Sequence, residues 1–79
     1  EEDPGAALVR LEQAESIRRA IRQLPTQYRR VVELRLVRRL DHAEIARILR
    51  LPHGAVRVLF CRGIRNVRRA VRGDDATAP

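Results

Sequence analysis

The sequence predicts an all-α fold: a small four-helix domain that ends in a helix-turn-helix. Three observations predict it. Apolar residues recur every three or four positions through most of the chain, the spacing of one helix face. No run alternates apolar and polar residues for long enough to make a strand. Asp41 to Val67 holds two helical patterns separated by a break at Arg50-Leu51-Pro52. With one Phe, one Tyr and no Trp among 79 residues, the core must be Leu, Ile, Val and Ala, which helices pack readily.

In chain order, residues 1–5 are acidic and contain Pro and Gly, the composition of a linker end, expected to be disordered. Leu8, Leu11, Ala14, Ile17, Ile21 and Leu24 then fall at helical spacing and predict a first helix over about 6–23. Pro25 ends or follows it, because the residue before Pro avoids the α region. A second helix runs from Pro25 or Thr26 to about Arg38. Its apolar positions, Tyr28, Val31, Val32, Leu34, Leu36 and Val37, cover more than one face, which makes it the most central of the set.

Asp41 is placed to cap the third helix, and Glu44 three residues on completes a capping-box pattern. Ile45, Ala46, Ile48 and Leu49 form its apolar stripe. Pro52 suits the start of a fourth helix, since it has no N–H to leave unpaired. Val56, Phe60, Gly63, Val67 and Val71 mark one face of that helix, which continues to about Arg72. The domain is thus expected over 6–72, with 73–79 a disordered tail.

Charge narrows the function classes. The net charge is +7 and all 17 basic residues are Arg, which suits a polyanion, nucleic acid before an anionic membrane. No apolar run approaches the roughly 20 residues that cross a bilayer, and no secretory signal pattern is present, so a cytoplasmic protein is expected. The chain opens on Glu1 rather than Met, as expected of a piece of a longer protein. Cys61, His42 and His53 lack metal-ligand spacing, so no metal or cofactor is expected. Without a nucleophile–base pair or a phosphate-cradling Gly-rich loop, neither is enzyme activity.

The residues also resemble a family. Leu24-Pro25, then Arg29, an apolar helix, the triplet Glu44-Ile45-Ala46, Leu49 before the turn, and Gly54-Ala55-Val56-Arg57-Val58-Leu59-Phe60 before a basic tail are similar to region 4 of bacterial RNA polymerase sigma factors, most of all the extracytoplasmic-function group. The likeness spans roughly residues 14 to 71. It implies a domain that recognises the −35 element of promoters while bound to the flap of the polymerase β subunit, often under the control of an anti-sigma factor. The chain departs from the family at particular positions. Arg39 and Arg50 stand where the family usually has Gly at helix ends. Ala55, Val58 and Leu59 replace polar residues of the recognition helix, and Ile64 replaces a basic one.

Candidate site residues follow. Arg57 is placed to reach a base edge or phosphate, and Arg62 and Arg65 to hold phosphates. His53 and Gly54 open the recognition helix. Ala55 and Val58 offer apolar contact to thymine methyls only. Arg29 and Arg30 are candidates for DNA phosphates or acidic groups of the polymerase. Val58, Leu59, Cys61 and Ile64 make the segment apolar nearly all round, which reads as a partner surface unless the first helix folds back over them. His42 is expected at the surface. Two alternatives remain: a protein-interaction module whose apolar recognition-helix face binds an anti-sigma factor or other transcription regulator, and the helix-turn-helix output domain of a response regulator. Leu24-Pro25 and Arg29 favour the sigma factor over the latter.

Overall fold

The computed structural model describes residues 4–73, with side chains from Arg10 onward. Four helices follow in order: α1 (Pro4–Arg22), α2 (Thr26–Leu36), α3 (His42–Leu49) and α4 (His53–Val71). There is no strand among the described residues. The expected linker end at residues 1–3 and the tail at 74–79 lie outside them. α1 begins at Pro4, two residues earlier than expected; a Pro is well placed in a first helical turn. α2 stops at Leu36, two residues short of the expected end.

Both ends around α3 are set by local chemistry. Asp41 accepts a hydrogen bond at Oδ1 from the Glu44 N–H at 2.8 Å. The Asp41 N–H donates to Glu44 Oε1 at 3.0 Å. This is the capping box expected from the sequence, and it starts α3 at His42. At the other end Arg50 takes a left-handed conformation, φ 57° and ψ 48°, and the Leu51 N–H reaches back to the Ala46 carbonyl at 2.9 Å. Arg39, after α2, also has a positive φ, 60°. Both arginines therefore sit where glycine is favoured, and the chain accepts the strain of an L side chain there. The reversal at Arg50 to Pro52 turns α3 into α4 and makes the helix-turn-helix.

Two helices form the spine. α2 and α4 each pack on all three of the others, while α1 and α3 do not pack on each other. The core accordingly divides in two. Ala20, Ile21 and Leu24 meet Val32 and Val67, with Tyr28, Phe60, Ile64 and Val71 packed around them. Val31, Ile45 and Val56 form the second cluster, ringed by Leu34, Leu40, Ala46, Leu49, Leu51 and Leu59. The neighbours Val31 and Val32 thus serve one cluster each, which is why the apolar residues of α2 cover more than one face. Phe60 packs against both.

α4 comes close to α2 at Gly63. A Cβ there would lie 2.6 Å from Val32 Cγ2, so the missing side chain lets the two helices meet.

α1 is docked only in part. Ala20, Ile21 and Leu24 are buried, but Leu11 is 68% exposed and Ile17 is also exposed. The expected apolar stripe is present in the spacing, yet the helix runs past the core it packs on. Leu8 lies outside the described side chains.

Candidate nucleic-acid interface on α4

Helical geometry sorts the side chains of α4 around its axis. Val56, Gly63 and Val67 are buried and mark the inward side. Phe60 and Ile64 turn toward α1 and its cluster, and Leu59 toward α3. Gly54, Val58, Cys61 and Arg65 run along the opposite side, all exposed. Arg57 and Arg68 flank this line on one edge, Arg62 and Arg69 on the other. A shallow surface groove is lined by Arg57, Val58, Cys61, Arg62 and Arg65.

This face is strongly positive. α4 holds five arginines and no acidic residue. Among the described residues none of the five is in an ion pair; the ion pairs of Glu15 with Arg18 and Arg22 are on α1. Arg68 and Arg69 also sit in the last turn, where cations complement the helix dipole. At the other end α4 follows Pro52 with no side-chain cap. The N–H groups of Ala55 and Val56 bond the Pro52 carbonyl at 3.0 and 3.2 Å, and His53 is exposed beside them.

The structure therefore brings Gly54, Arg57, Val58, Arg62 and Arg65 to one exposed face, with half-buried Ala55 at its edge, while exposed His53 opens the helix on the side of Phe60, near His42. Leu59 and Ile64 belong elsewhere. Both are half-buried in the domain's own two clusters, so of the four residues read as a partner surface only Val58 and Cys61 are open to solvent. α1 does fold back over Ile64, and α3 covers Leu59.

Arg30 lies apart from the α4 face. It lines a groove between α2 and α3 with Glu33, Leu34, Val37, Arg38, Ile48 and Leu49, and this groove shares no lining residue with the one on α4. Val37 is 67% and Ile48 57% exposed there. Arg29 is half-buried on α2. Sequence spacing assigned Val37 and Ile48 to apolar stripes and did not separate them from the core.

His42 is not a surface residue of the first turn, as expected, but half-buried. Its ring lies 5.4 Å from Phe60 and 6.0 Å from His53 between centroids. Its Nε2 is buried without a hydrogen-bond partner. Packed this way, it ties the start of α3 to the start of α4. No group of three or more metal-ligating side chains exists among the described residues.

Residues 14–67 match the family model for sigma-70, region 4. The chain belongs to the sigma-70 region 4 family. It is 36% identical over 69 residues to the ECF RNA polymerase sigma factor SigW of Bacillus subtilis (strain 168), a stretch that is 87% of this chain and 37% of that protein. The chain thus spans a little over a third of the length of that relative. Membership sets aside the response-regulator alternative and makes α3 and α4 the helix-turn-helix of a sigma region 4 domain. Region 4 is a transcription-factor domain. No helix among the described residues is long and apolar enough to cross a membrane.

Proposed function

We propose that this domain recognises the −35 element of promoters through the outward face of α4, within a sigma factor that directs RNA polymerase to start transcription in the cytoplasm. The observation that carries the reading is the acid-free line of unpaired arginines on the exposed side of a sigma-family recognition helix. Arg57, one turn into α4, reaches a base edge; Arg62 and Arg65 hold flanking phosphates; His53 and the open first turn face the backbone. Phosphate contacts release counterions, so affinity falls with salt by a slope of about 0.9 per phosphate neutralised.

The test is a salt titration of the chain against promoter duplexes and scrambled duplexes. Specific binding that weakens steeply with salt is expected, and Arg57→Ala costs about 1–3 kcal/mol on the promoter alone if it reads a base. Affinity indifferent to both sequence and salt sinks the reading.

A second reading concerns protein contact, and the apolar groove between α2 and α3 favours it. Exposed Val37 and Ile48, rimmed by Arg30, Glu33 and Arg38, fit an amphipathic helix laid into a groove. In this reading the groove holds the polymerase β flap, and an anti-sigma factor competes for it. It moves the protein-binding surface off the recognition helix and leaves α4 for DNA.

A further inference from the structure

We propose that Val58 makes this domain read a thymine through the base's C5-methyl group; the inference rests on the DNA reading of α4 and names what that face selects. From Gly54 to Cys61 the middle of the outward side carries no strong hydrogen-bonding side chain. Gly54 has none, Val58 is 46% exposed, and Cys61 offers only a weak thiol donor. The guanidinium groups stand at the edges, on Arg57 and Arg62, and beyond the next turn on Arg65. Laid in a major groove, such a face grips the backbone at its edges and presses an apolar centre against the base pairs.

The major-groove edges differ in what they ask of that centre. Thymine alone presents a methyl group there, whereas cytosine presents an N4 amino donor and adenine an N6 donor beside N7. Val58 can bury the methyl but can satisfy none of the others. A cytosine or adenine edge held against it loses water and gains no partner, which is unfavourable. Val58 therefore selects in two ways, by attraction to the methyl and by leaving competing edges unpaired. Gly54, where an added Cβ would meet nothing of the protein, lets the first turn come close enough for a side chain as short as valine to touch.

The experiment uses the full chain and two randomised duplex libraries, one built with thymidine and one with deoxyuridine, which lacks only the C5-methyl. The thymidine library should enrich a motif with a thymine at one position. Deoxyuridine at that position alone should weaken binding about fourfold, the factor that corresponds to ~0.8 kcal/mol for one buried methyl. Val58→Ser should abolish the thymidine–deoxyuridine difference. It should keep the helical circular-dichroism spectrum. Equal binding of thymidine and deoxyuridine motifs by the parent chain overturns the proposal while leaving DNA recognition standing, as does discrimination that survives in Val58→Ser. Failure of both libraries to enrich any motif overturns the DNA reading and this inference with it.

Discussion

Gly63→Ala tests how tightly α4 is held to α2. A Cβ at Gly63 would stand 2.6 Å from Val32 Cγ2 and 3.5 Å from Tyr28 Cβ. Apolar carbons rest at about 3.5–4.0 Å, so the first contact must open by about 1 Å. Val32 cannot easily give way. It is fully buried, its branched side chain is stiff at χ1, and Ala20, Ile21, Leu24 and Val67 close the cluster around it. Overpacking of this kind costs about 1–3 kcal/mol. Replacing a helical glycine by alanine returns about 0.8–1.0 kcal/mol. The net expectation is a loss of about 1 kcal/mol, which lowers Tm by about 4–8 °C in a domain of this size. Thermal unfolding followed at 222 nm measures it. The sharper form is a cycle: in a Val32→Ala background the same substitution should become stabilising, because the obstructing methyl is gone. Gly54→Ala is the control, since nothing of the protein stands near its Cβ position, and should be neutral or stabilising. A Gly63→Ala chain that melts at or above the parent, with no change of sign in the cycle, refutes the packing argument.

Other substitutions probe separate parts. Arg50→Gly should raise stability by about 1 kcal/mol, because it relieves an L residue at φ 57°; a loss in urea unfolding would mean that the Arg50 side chain contributes something the backbone strain conceals. Asp41→Ala should cost about 1 kcal/mol by removing the acceptor for the Glu44 N–H, and an unchanged midpoint would show the capping box to be dispensable. Ile48→Glu should leave unfolding within about 0.5 kcal/mol of the parent, as a surface substitution does. It should reduce co-purification with core polymerase while sparing DNA affinity; intact polymerase binding would remove the groove from the protein-contact reading.

Much of the architecture is legible in the residues because it is local. The capping box at Asp41 and Glu44 depends on four consecutive residues. The inward stripe of α4 depends on spacing alone: Val56, Gly63 and Val67 are buried. Spacing reports which side of a helix is apolar, but not how far its neighbour extends. That is why Leu11 and Ile17, in step with Ile21 and Leu24, end up exposed. The same limit hid the groove at Val37 and Ile48. It also blurred α4. Leu59 and Ile64 read as surplus apolar surface until α3 and α1 are in place to cover them. His42 illustrates the converse: a polar residue type suggested solvent, whereas its half-buried ring packs against Phe60. The positive φ of Arg39 and Arg50 was foreshadowed only by likeness to a family with glycine at both positions.

The most direct test is amide chemical-shift mapping of the isotopically labelled chain during titration with a duplex enriched for binding. The account predicts that shifts concentrate on residues 53–65, strongest at Gly54, Arg57, Val58, Cys61 and Arg62, while Arg30, Val37 and Ile48 stay still. Perturbation centred on the α2–α3 groove or on α1, with the outward side of α4 silent, would contradict it.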